Sequence, residues 1–76
     1  MKELIEYIAK SLATKPDEVV VSEETNDEGQ IVIKLQVADE DKGKIIGRQG
    51  RVAQAMRVIL RVRAVKEETR ANLEIL

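Results

Sequence analysis

The sequence predicts a small α+β domain with the element order α-β-β-α-α-β. Three observations carry that prediction. The chain opens on apolar residues at helical spacing, and two β-branched runs then flank the turn-forming stretch Asn26-Asp27-Glu28-Gly29. Two further apolar-patterned segments are joined by Gly47-Arg48-Gln49-Gly50 and followed by a short alternating tail.

Each element has its own physical basis. Over residues 1–12, Leu4, Ile5, Ile8 and Leu12 fall on one helical face, with Glu3, Glu6 and Lys10 outward. The helix is expected to stop near Thr14, because Pro16 disfavours helical geometry at Lys15. Residues 18–25 hold Val19-Val20-Val21 and read as a strand. Residues 30–37 read as its hairpin partner, with Ile31, Ile33, Leu35 and Val37 on one face and Lys34 and Gln36 on the other. Asp39 is an expected N-cap, with Glu40 and Asp41 in the first turn, where the helix dipole favours carboxylates. A metal site at these three carboxylates is the sharper alternative, but it lacks a second ligand cluster. The next helix carries Ile45 and Ile46 and ends at Gly47. A longer one spans residues 51–65, and residues 73–76 form a last, short strand after a polar link.

Composition narrows the function. The chain has 76 residues and no Cys, His, Trp or Phe, so the core must be aliphatic, and neither disulfides nor thiolate metal sites can support it. The length suits one domain over residues 1–76, burying roughly 60% of the unfolded surface. Without His or Cys, and with no Ser, Thr or Tyr spaced to meet a base, catalysis is not expected, nor is a cofactor. No basic start with a long apolar run marks a secretory leader, and no apolar stretch approaches about 20 residues. The expected location is the cytoplasm, without membrane association.

The net charge of −1 conceals a strong segregation. Residues 42–66 hold eight basic side chains (Lys42, Lys44, Arg48, Arg51, Arg57, Arg61, Arg63 and Lys66) and no acid. The other fifty-one residues hold five basic and fourteen acidic side chains, so the two parts carry +8 and −9. One electropositive surface on an otherwise acidic protein suits a polyphosphate ligand, although a solvated helix face would show the same charges.

The loop separates those two readings. Glycine permits positive φ and removes the Cβ that would hold a ligand off the backbone. The long helix starts just after Gly50, so its free N–H groups and dipole face the same bend. Arg48 and Gln49 add a cation and further donors within the loop, and Lys44 and Arg51 flank it.

Two glycines three apart are weak on their own, since they commonly cap a helix. The whole string Lys44-Ile45-Ile46-Gly47-Arg48-Gln49-Gly50-Arg51, set between two helices after a hairpin, resembles the signature of KH domains, whose loop clamps about four nucleotides. The element order resembles the type II arrangement, which implies a three-stranded sheet with the helices packed on one face. The small size resembles the bacterial KH proteins of the KhpA kind. That resemblance implies a single-stranded RNA-binding protein, a post-transcriptional regulator or RNA chaperone, often paired with a larger KhpB-like KH protein. By position, Gly47 and Gly50 would admit the backbone, and Arg48 and Gln49 would meet phosphates between Lys44 and Arg51. Ile45 and Ile46 would lie at the groove and core side, and one strand would border the bases. A lone tyrosine fits this reading, since modules that stack bases on rings need more.

Two other readings stay open at this point: a helix-turn-helix DNA reader using residues 51–63, and a protein-interaction module with a basic helix. Assembly is a further expectation. On the long helix Gln54, Arg57 and Arg61 form a narrow polar stripe, while Val52, Ala53, Ala55, Met56, Val58, Ile59, Leu60, Val62 and Val65 occupy most of the remaining circumference. One core needs an apolar face of only about 100°. The flank of Val58, Val62 and Val65 is therefore surplus, to be covered either by a second chain, in a homodimer or heterodimer, or by the first helix packing alongside.

Overall fold

The computed structural model describes residues 1–76. Helix α1 spans Lys2–Leu12, and the strands are β1 Val20–Thr25, β2 Ile31–Gln36 and β3 Ala71–Ile75. Helix α2 is the short Lys42–Ile46, and α3 is the long Arg51–Lys66. The order α-β-β-α-α-β is that expected, with single 3-10 turns at Pro16–Glu18, Asp39–Asp41 and Arg48–Gly50.

The sheet runs β1-β2-β3, with β1 antiparallel and β3 parallel to β2. Its register pairs Val21 with Leu35, and Ile33 with Leu73, so these four share one face. They are buried together with Ile5 and Ala9 of α1, Ile45 of α2, and Met56 and Leu60 of α3 in one aliphatic core. All three helices therefore cover the same face, and the opposite one stays open at Val20 and Gln36. The hairpin is closed by Asn26, whose side-chain Oδ1 accepts from the N–H groups of Glu28 (3.0 Å) and Gln30 (2.9 Å).

Two strand starts differ from expectation by two residues each. β1 starts at Val20 because Pro16–Glu18 takes up a 3-10 turn, and only then can the chain extend. β3 begins at Ala71, earlier than its alternation shows, because the parallel ladder with β2 opens there. The Ile31 N–H donates to the Arg70 carbonyl at 2.8 Å, which draws Ala71 and Asn72 into the strand.

The expected cap is corrected. Asp39 caps nothing, and the working carboxylate is Asp41, which is fully buried. Its Oδ1 accepts from the Thr14 hydroxyl (2.6 Å) and the Thr14 N–H (3.0 Å), and its Oδ2 accepts from the Lys15 N–H (3.0 Å). Asp41 thus ties the end of α1 to the start of α2, satisfying backbone donors that the chain leaves free after Leu12. The Thr14 side-chain hydrogen bond, then its backbone N–H, hold the Asp41 carboxyl below its ordinary pKa against the opposing effect of burial; Lys15 and the Lys44 charge add to this. Because the folded value is the lower one, the unfolded chain binds the extra proton. The stabilisation is therefore complete above about pH 4 and is lost as pH falls through the folded value. Asp41→Asn is expected to lower the urea midpoint at neutral pH, with the gap to wild type closing in acid. A gap that does not change with pH would remove Asp41 from this role.

Helix α3 buries Ala53, Met56, Leu60 and Ala64 as one stripe. Its surplus flank remains open, with Val58, Val62 and Val65 exposed at 52%, 56% and 70%. Helix α1 does not cover it, since Ile5 and Ala9 are committed to the sheet side of the core. Only Leu4 reaches the flank, forming with Val58, Ile59 and Val62 a shallow crevice of about 280 Å³ rimmed by Arg63 and Lys66.

Candidate nucleic-acid interface

The loop is built from left-handed backbone. Gly47 ends α2 with its N–H on the Gly43 carbonyl (2.9 Å) and takes φ 78° and ψ 171°, a region essentially restricted to glycine. Gln49 (φ 58°) and Gly50 (φ 73°) follow, and the Gly50 N–H closes the turn on the Gly47 carbonyl at 3.1 Å. The two glycines have different reasons to be there. A Cβ on Gly47 would stand 2.5 Å from Val52 Cγ2 and 2.8 Å from the Val52 N, whereas one on Gly50 would meet nothing within 4 Å. Gly47 lets the loop fold tightly onto α3, and Gly50 leaves its outer side bare.

Arg48 and Gln49 are exposed at the tip, flanked by exposed Lys44 and Arg51. Their only mutual polar contact is a long Arg51 Nη2 to Gln49 Oε1 hydrogen bond of 3.4 Å. Of the eight basic side chains in residues 42–66, Lys42 pairs with Asp39 (3.3 Å) and Arg63 with Glu67 (2.8 Å). Lys44, Arg48, Arg51, Arg57, Arg61 and Lys66 make no ion pair. The two isoleucines part company. Ile46 is 40% exposed beside the loop, while Ile45 is 0% exposed in the core, so Ile45 supports the loop from beneath and offers no surface to a ligand. Of the groove and core side expected for the pair, Ile45 takes the core side and Ile46 the exposed one.

A feature that sequence reasoning left unassigned lies along α3. The polar stripe of Arg57 and Arg61 turns toward β3 and lines, with Ala71, Asn72, Leu73 and Glu74, a crevice of about 290 Å³. β3 is an edge strand, so this crevice meets unpaired main chain. Spacing revealed the stripe. The strand opposite it depended on the parallel crossover.

This arrangement defines the class: a KH-type domain of the type II order, with its Gly-x-x-Gly turn between two helices on one face of a three-stranded sheet. A family model described as "KhpA/KhpB, KH domain" matches residues 2–75, and the chain belongs to that family. It is 53% identical over 76 residues to the RNA-binding protein KhpA of Clostridium acetobutylicum, covering 100% of both chains. It is 47% identical to the Clostridium perfringens protein of that name, again covering 100% of each, and 40% identical to that of Listeria monocytogenes, covering 100% of this chain and 99% of the relative. No solved structure matches. The family is not one of enzymes. A helix-turn-helix reading is set aside by the same finding, and α2, at five residues, is shorter than two turns. No helix is long and apolar enough to cross a membrane.

Proposed function

We propose that residues 1–76 act as one KH unit that binds single-stranded RNA through Gly47-Arg48-Gln49-Gly50, serving in the cytoplasm as a post-transcriptional regulator or RNA chaperone. The observation that carries this is the loop itself: a left-handed turn with exposed Arg48 and Gln49, and unpaired Lys44 and Arg51 on either side. A phosphate backbone can approach Gly50 closely and meet the first N–H groups of α3. The Arg57 and Arg61 crevice continues the path, with β3 as the strand that borders the bases.

Titration of a fluorescent single-stranded RNA, with duplex DNA and duplex RNA as controls, tests the reading. Single strands are expected to bind tighter, with log K falling by roughly 0.7 per phosphate contact for each tenfold rise in salt. A nearly flat salt response would mean that residues 42–66 are not the binding surface.

The same reading includes a protein partner on the open flank of α3: a second copy, or a KhpB-like KH protein. Val58 and Val62 with Ile59 present an apolar strip that intramolecular packing leaves in water. Analytical ultracentrifugation at micromolar concentration is expected to show a dimer, and Val62→Asp to shift it to monomer. A strictly monomeric wild type excludes the homodimer, and a Val62→Asp variant that stays dimeric moves the interface elsewhere.

A further inference from the structure

The Gly-x-x-Gly turn hangs from an element with little stability of its own. Helix α2 has only five residues, one of them Gly43, and no side chain caps its N-terminus. A helix this short has barely passed the unfavourable nucleation step, and an interior glycine weakens it further. Its placement must therefore come from outside. Ile45 anchors one side of it in the core. The other anchor is Asp41, which stands at the N-cap position yet turns its carboxylate away from α2, onto the end of α1. Its bonds with Thr14 and Lys15 are the only side-chain hydrogen bonds that join residues 41–50 to a distant part of the chain. The Lys15–Glu40 ion pair crosses the same seam.

Gly47 follows directly on α2, so the helix is a lever with the Asp41 clip at one end and the turn at the other. Over its length of roughly 7.5 Å, a tilt of about 10° would carry the turn by about 1.3 Å. A binding geometry tolerates only about 0.5 Å, so a tilt of that size is enough to spoil the contacts of the loop. Asp41 is fully buried and touches no ligand itself. Resting on the RNA-binding reading above, we infer that Asp41, through Thr14 and Lys15, is a positioning residue that holds α2 at the angle presenting Gly47-Arg48-Gln49-Gly50 to the RNA backbone. The clip then sets affinity as well as stability, because RNA binds only the fraction of chains whose loop is in place.

Three variants of the full chain separate positioning from stability. Thr14→Val removes the hydroxyl donor at nearly constant shape, Thr14→Ser keeps it, and Asp41→Asn turns one of the two acceptors into a donor. Amide hydrogen exchange without RNA reads the loop directly, because the Gly47 and Gly50 N–H groups are both hydrogen-bonded. In Thr14→Val these two amides are expected to exchange about tenfold faster relative to those of β2, since losing a bond to a charged group loosens only the part it holds. Affinity for a fluorescent single-stranded RNA is expected to fall in Thr14→Val, to fall by about fivefold or more in Asp41→Asn, and to stay within about twofold of wild type in Thr14→Ser. If the loop amides accelerate no more than those of β2, the clip stabilises the whole domain without positioning the loop, and the inference falls. Unchanged affinity in both Thr14→Val and Asp41→Asn overturns it as well, as does a Thr14→Ser variant impaired as much as Thr14→Val. Should Asp41→Asn fail to fold, Thr14→Val decides. A wild type that binds no RNA sinks the RNA-binding reading, and the exchange comparison still decides whether the clip holds the loop.

Discussion

The double substitution Arg48→Asp with Gln49→Asp is expected to weaken RNA binding by on the order of a hundredfold or more while leaving the fold intact. Hydrogen bonds to charged groups contribute about 1.5–3 kcal/mol each, so two lost contacts already reach that factor before carboxylate–phosphate repulsion is added. Both side chains are exposed, and neither belongs to the aliphatic core. Gln49 sits at φ 58°, where aspartate is among the better-tolerated non-glycine residues, so the turn accepts the change. Stability should stay within about 0.5 kcal/mol, as is usual for exposed sites. Filter binding or fluorescence anisotropy provides the affinity, and thermal melting checks the fold. A well-folded double variant that binds RNA as the wild type does would place the site away from this loop.

Gly47→Ala should have the largest effect on stability of any single-methyl change in the chain. Two penalties coincide there. The backbone at φ 78° and ψ 171° excludes residues with a Cβ, and the new methyl would stand 2.5 Å from Val52 Cγ2 and 2.9 Å from Val52 Cβ. Val52 packs against the core, so the strain cannot be relieved without shifting α3. A loss of about 3 kcal/mol or more is expected, a drop of roughly 12 °C or more in Tm for a domain of this size. Gly50→Ala meets open space and bears only the left-handed penalty of about 1–2 kcal/mol. Comparing the two melts separates steric demand from conformational demand. If Gly47→Ala melts no lower than Gly50→Ala, the close approach to Val52 is not what requires glycine.

The periodicities of the sequence determined the element order, the aliphatic core and the position of the turn between α2 and α3. Those features depend on local spacing: apolar residues every three or four positions in α1 and α3, alternation in β2, and glycines where the backbone must be left-handed. Charge segregation was equally legible, because it needs only a count along residues 42–66.

What the tertiary structure decided were the matters that depend on residues far apart in the chain. Asp41 reaches Thr14, twenty-seven positions away, and so becomes a buried clip, although spacing made Asp39 the natural cap. Ile45 and Ile46 look alike in sequence, yet one faces the core and the other the loop, a difference set by how α2 leans on its neighbours. Whether α1 would cover Val58 and Val62 could not be read from either helix alone, because it depends on where the sheet draws Ile5 and Ala9. The α3–β3 crevice arises only when the crossover lays β3 parallel to β2 and leaves an open edge beside Arg57 and Arg61. Local patterns record which face of each element is apolar. The pairing of distant faces is a property of the assembled chain, since it is settled by packing the elements together.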